Sequence, residues 1–236
     1  LGRYENVFVV SSTIEHPSIR ETLLFYQKKG VSVQWVVPRE DGILDPIFFK
    51  AIVTNKTSLV VLHHVNSEIG TIQPISEIVS VVKGVGNPHV HVDACQSAPW
   101  IPVHLDTLRV DTIAIDSLKV GGPRGVGALA VVRGVVLRPI ITGGGQEAGF
   151  RSGTQNVPGI AGFARALSVI AKKRKGTERS VLSVRNALLK MIQESLPEVI
   201  VNGTLKHRVP NNVNVSLRGI NADVVVTKLD VLGVAA

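Results

Sequence analysis

The sequence predicts an α/β protein built on a mostly parallel sheet with crossover helices, followed by the start of a smaller α+β domain. Three observations carry this expectation. Through the first 135 residues, short β-branched runs alternate with amphipathic segments, the pattern of parallel strands joined by helices. Beyond Pro158 that alternation gives way to long helical periodicity and two short strand-like runs. Hydrophobic residues make up 44% and charged residues 19% of the 236-residue chain, the balance of a globular body able to bury a large core.

In chain order, the strand-like runs are residues 6–11, 31–37, 58–63, 89–92, 110–115 and 127–132. Pro17 opens a helix that stops at Gly30, and Pro74 opens another that stops near Gly84, since proline suits a helix start and glycine its end. After Pro158 the periodicity predicts two helices, 159–173 and 178–196, then strands at 199–201 and 212–217 and one further helix. We divide the chain into a large domain over 1–157 and part of a second domain over 158–236. The second has too little sheet to close a core, and the first residues carry no initiating Met. The expectation is a chain cut at both ends.

Composition narrows the function classes. The uninterrupted apolar stretches, such as residues 59–62 and 224–226, fall far short of the roughly 20 residues that a membrane span needs. A single thiol, Cys95, allows no intrachain disulfide and fits a reducing compartment, with the cytoplasm as default. An organellar address stays open, because a leader would precede Leu1. The net charge of +8 is scattered, and its densest group, residues 172–175, reads as a solvated helix face. With aromatic residues at only 4% there are few stacking platforms for single strands. No nucleic acid is expected as a direct ligand.

In a parallel α/β sheet, ligands bind at the carboxyl ends of the strands. The segments there are unusually polar: Glu15-His16, His64-Val65-Asn66-Ser67-Glu68, Asp93-Ala94-Cys95-Gln96 and Asp116-Ser117-Leu118-Lys119. An amine and a carboxylate in one crevice are what pyridoxal 5'-phosphate requires, the first for a covalent imine, the second to keep the pyridine nitrogen protonated. Lys119 and Asp93, 26 residues apart, fit those roles. His16, Gln96, Asn66 and Ser67 are available to cover the ring and contact its substituents. A glycine-rich turn follows Lys119, over residues 121–127. Plainer readings exist: His16 as a structural residue, Asp93 as a helix cap, Lys119 as a surface lysine. A zinc site of His63, His64, His89 and His91 is set aside, because no Cys or carboxylate at ligand spacing supports it.

Four motifs carry a family resemblance: His64 to Gly70, His91 to Ser97, Lys119 with Gly122 to Gly127, and Gly143 to Glu147 through Arg151 to Thr154. In this order and spacing they resemble the class V aminotransferases, specifically the cysteine desulfurases, over essentially the whole chain. The resemblance implies a pyridoxal-phosphate-dependent transferase fold and a homodimer. It also implies conversion of L-cysteine to L-alanine, with sulfur passed by way of a mobile-loop cysteine to an acceptor scaffold, for iron–sulfur cluster assembly or tRNA thiolation. His16 would stack on the cofactor and shuttle protons, Asp93 pair with the pyridine nitrogen, Gln96 bond the phenolic oxygen and Lys119 hold the cofactor covalently. Thr154 would reach the phosphate bound by the neighbouring subunit.

The chain departs from the resembled pattern in two places. Asp116-Ser117-Leu118 stands before the lysine where such enzymes have Ser-Gly-His, so Ser117 is assigned the phosphate contact. Ser67 stands where a second Asn is common. The persulfide cysteine and the carboxylate-gripping arginine of the resembled enzymes lie beyond Ala236, and Cys95 is no substitute. Two other readings remain: a selenocysteine lyase or other class V lyase, and a degenerate, non-catalytic dimerisation or scaffold subunit.

Overall fold

A computed structural model describes residues 6–235. Six strands form the main sheet: β1 (Phe8–Ser12), β2 (Ser32–Val36), β3 (Thr57–His63), β4 (His89–Asp93), β5 (Thr112–Asp116) and β6 (Gly127–Val131). Their spatial order is β2-β1-β3-β4-β5-β6. All pairings are parallel except β5 with β6, so the expected mostly parallel sheet is present.

The sheet is held by apolar layers on its two faces. In β3 and β4, Val60, Leu62, Val90 and Val92 point into the main core, where α3 (Ile75–Val85) packs. Its buried residues Ile75, Ile78, Val79 and Val82 follow the i, i+3, i+4, i+7 stripe of an amphipathic helix. Phe49 of α2 (Pro46–Ile52) completes this core and is fully buried. Each such side chain contributes about 1.5–3 kcal/mol by leaving water. On the opposite face, Leu23 of α1 (Pro17–Gln27) packs on Val9 and Val61. The sequence reading lacked α2 and the single turn α4 (Leu105–Leu108). Asp45, whose carboxylate accepts from the Ile47 amide, and Pro46 at the first helical position start α2, but seven residues are too few to show a period.

The two helices expected after Pro158 are one, α5 (Val157–Ser195). Gly176 stands midway with nothing within 4 Å of where its Cβ would be. One helical glycine costs about 1 kcal/mol relative to alanine, too little to break a helix with strong formers on both sides. The first half of α5 packs Phe163, Ala166, Leu167 and Ile170 against Ala98, Ile115 and Val120. Further on come β7 (Ile200–Val201), its antiparallel partner β8 (Val215–Ser216), and α6 (Ala222–Val231). No helix among the described residues is long and apolar enough to cross a membrane.

The segment between β7 and β8 is fastened to the loop after β3. The Ile72 amide donates to the His207 carbonyl at 2.9 Å and the Val209 amide to the Gly70 carbonyl at 3.0 Å. The Asn212 side chain donates to the Glu68 carbonyl at 2.9 Å. Gly70 adopts φ +68°, and a Cβ there would lie 2.6 Å from the Asn212 Cβ. Only glycine meets both demands.

Candidate active site

The carboxyl ends of β1, β3, β4 and β5 bring the singled-out segments to one edge of the sheet. At the end of β4, Asp93 is half-buried, and its Oδ1 accepts from the Cys95 amide at 2.9 Å. One oxygen thus fixes the turn, while the other accepts no backbone hydrogen bond among the described residues. The half-buried Cys95 thiol is pushed up to about 12, by burial first, then by its contact with Asp93 and the charges of Asp93 and Asp116, with Lys119 pulling the other way. Cys95 therefore reports that Asp93, Asp116 and Lys119 lie within electrostatic reach of one atom.

Lys119 sits in a tight 3-10 turn (Leu118–Val120) directly after β5. Its side chain is exposed and enters no ion pair among the described residues. Gly121 closes the turn in the left-handed conformation. On the α5 side, a cavity of about 320 Å³ is bounded by Lys119, Trp100, Lys173 and Arg174 among others.

The remaining expected residues fall into three groups. His16 is exposed at the N-cap of α1, where its Nδ1 accepts from the Ser18 amide at 3.2 Å and lies 2.8 Å from the Ser18 hydroxyl. Gln96, next to Cys95, is half-buried and its amide makes no hydrogen bond within the described residues. These two are free to meet a ligand.

Asn66 is buried and occupied: Oδ1 accepts from the Glu68 and Ile69 amides, each at 2.9 Å, and Nδ2 donates to the Ile14 carbonyl at 3.0 Å. It ties the loop after β3 to the loop after β1. Ser67 is half-buried and donates to Glu68 Oε1 at 3.3 Å. The Ser117 hydroxyl is fully enclosed without a partner among the described residues, 2.4 Å from where a Cβ on Gly122 would stand. It packs against the glycine turn instead of opening to solvent. Thr154 is exposed and without a hydrogen bond among the described residues, on a loop braced by the Gly145 amide on Ser152 Oγ and the Gly153 amide on Gln146 Oε1.

Sequence reasoning missed a buried polar cluster behind His16. Ser12 donates to Glu15 Oε1 at 2.6 Å, and His63 Nδ1 approaches the same oxygen at 3.0 Å. His64, also buried, is lowered to about 4 by burial and, secondarily, by the charge of His63. The available signal was an ionisable residue closing an apolar strand, which is costly unless paired. His89 and His91 share the Thr112 hydroxyl, at 3.0 and 2.9 Å, and burial lowers both.

The donor set fits pyridoxal phosphate at the ring end. Among the described residues, a carboxylate with an uncommitted oxygen and a free amide stand past β4, an unpaired primary amine past the neighbouring β5, and an open imidazole past β1. These are the groups the cofactor's nitrogen, aldehyde, ring face and phenolic oxygen call for. The fit at the phosphate end is weaker, since Asp116 brings a carboxylate there and Ser117 is enclosed.

The mostly parallel sheet with its crossover helices is the architecture of the pyridoxal-phosphate-dependent transferase fold. The aminotransferase class-V family model matches residues 5–236. The chain belongs to that family and is a homologue of its cysteine desulfurases. It is 39% identical over 228 residues to the cysteine desulfurase IscS 1 of Archaeoglobus fulgidus, covering 97% of this chain and 59% of that protein. It is 34% identical to the cysteine desulfurase IscS of Dictyoglomus turgidum, covering 96% and 57%. Among solved structures, a NifS-like protein superposes with a TM-score of 0.94 at 33% identity, over 99% of this chain and 63% of that one. SspA in complex with cysteine gives 0.75 at 27% identity, over 95% and 61%. The chain thus spans a little under two thirds of the length of these relatives.

Proposed function

We propose that this chain carries the cofactor-binding part of a pyridoxal-phosphate-dependent cysteine desulfurase. Such an enzyme converts L-cysteine to L-alanine and passes the sulfur to an acceptor, for iron–sulfur cluster assembly or tRNA thiolation. Residues 1–157 form the cofactor domain and residues 158–236 belong to a second domain. The enzyme works as a homodimer. The observation that carries this reading is the placement of Lys119 and Asp93 on adjacent strand ends, both acting on the Cys95 thiol. The similarity to SspA, whose structure holds cysteine, supports the substrate.

The bound cofactor supplies a conjugated electron sink for the bonds at the substrate's α-carbon. Lys119 would hold it through Nζ and would serve as the base beside the substrate's α-carbon. Asp93 would keep the pyridine nitrogen protonated through its uncommitted oxygen. His16 covers the ring and moves a proton at Nε2, since Nδ1 is held by Ser18. Gln96 donates to the phenolic oxygen, and Asn66 keeps the two loops in register. Thr154 serves the phosphate in the neighbouring subunit, with Ser67 and Ser117 as further hydroxyls near the site.

Borohydride reduction of the cofactor-treated full-length protein, then peptide mapping, tests the assignment. Label should appear on Lys119; label elsewhere, or none, would favour a non-catalytic scaffold subunit. Asp93→Asn should retain the label but lower turnover at least about 10²-fold, since a neutral amide cannot hold the ring proton.

A further inference from the structure

The buried cluster behind His16 has no role in the chemistry above. The Glu15 side chain is 0% exposed and that of His63 is 4% exposed. Glu15 Oε1 receives the Ser12 hydroxyl at 2.6 Å and faces His63 Nδ1 at 3.0 Å. The second contact is close but poorly aligned for a hydrogen bond, and Glu15 Oε2 and His63 Nε2 have no partner among the described residues. Among the described residues, His63 is the only ion-pair partner of Glu15.

The placement of this pair links two strand ends. Glu15 immediately precedes His16. His63 stands in register with Asp93 across β3 and β4, and paired residues of parallel strands share a face. The other titratable groups around the pair are His64, next in the chain and sensing the His63 charge, and His91 of β4, which senses both Glu15 and Asp93. A buried polar side chain with one hydroxyl donor is costly unless a further polar partner stands against it. The loop that carries His16 is therefore held at its base by the contact between Glu15 and His63.

We infer that His63 is a positioning residue: paired with Glu15, it fixes the end of β1 and so sets the His16 ring over the cofactor site. The inference rests on the functional reading above for the part played by His16. Breaking one partner leaves the other buried and uncompensated, whereas removing both is mild, so the pair should show strong non-additivity.

The test uses the full-length protein with His63→Leu, Glu15→Gln, the double variant, and His63→Leu in a His16→Asn background. Ring-selective NMR of the histidines should show a His63 ring signal that moves in Glu15→Gln, and a displaced His16 ring signal in each single variant. Urea unfolding should find each single variant less stable than the double. With L-cysteine, each single variant should lose about tenfold in kcat with KM within about twofold of the parent. His63→Leu should add no loss beyond that of His16→Asn. An unmoved His16 signal, additive unfolding effects, or a full further loss in the His16→Asn background would overturn the inference. Failure of Lys119 to take the borohydride label would overturn the functional reading instead, while the ring signals and unfolding cycle would still decide the role of His63.

Discussion

Burial and three neighbouring charges decide the chemistry of Cys95. With its thiol raised from 9.0 to about 12, the thiolate fraction at pH 8 is lower than that of an unperturbed thiol by on the order of 10³. Alkylation at pH 8 should be correspondingly slow and should recover on unfolding; prompt labelling of the native chain would show the site to be open. The 236-residue chain given pyridoxal phosphate, L-cysteine and a reductant should then release no sulfide over repeated turnovers, because this is its only thiol. Sulfide and alanine release that disappears in Cys95→Ser would make Cys95 the sulfur carrier after all. His64 gives a second prediction. Its native value of about 4 lies below the ordinary 6.5, so the unfolded chain binds the extra proton first as pH falls. The associated stability is present above pH 6.5 and lost between there and about 4, up to about 3 kcal/mol. Urea unfolding across that range should show the loss, and His64→Leu should flatten it. Asp93 and Lys119 were legible because their spacing is a property of the chain itself. The pairing of Glu15 with His63 was not, because it depends on which strand lies beside which.

Among elements, the strands were the most readable. Each of the six main strands lies within two residues of its expected bounds, because β3 is apolar on both faces, β4 alternates valine with polar residues, and their flanking turns are rich in Gly, Pro and Asn. Helices were readable where a full stripe could develop, as in α3, and not in the seven-residue α2. The reading of α5 as two helices shows how a single glycine misleads. Gly176 meets no neighbouring atom and lies within an uninterrupted helix, so Gly176→Ala should stabilise the protein by about 1 kcal/mol. A rise in the urea midpoint with unchanged slope would agree. A fall would mean that the helix needs a hinge at that position.

For the whole molecule, the contact between the loop after β3 and the segment before β8 joins the two halves of the chain. Its narrowest point is Gly70, and Gly70→Ala adds a left-handed strain to a 2.6 Å clash with Asn212. We expect a loss of at least about 2 kcal/mol. Freed backbone amides of residues 70, 72 and 209 should also exchange hydrogen faster than those of β3 and β4. Uniform protection would show that the halves do not depend on this junction. No pattern in the sequence announced it, since the residues involved are more than 130 positions apart.

The spatial order of the main sheet also bears on how the chain is made. β2 joins one side of β1, and β3, β4, β5 and β6 then add in turn to the other side. Among the described strands, none has to enter between two that are already paired. As the chain leaves the ribosome, every new strand finds a finished edge waiting for it. The sheet can therefore grow at the pace of synthesis, without the slow rearrangements that inserted strands impose on parallel sheets.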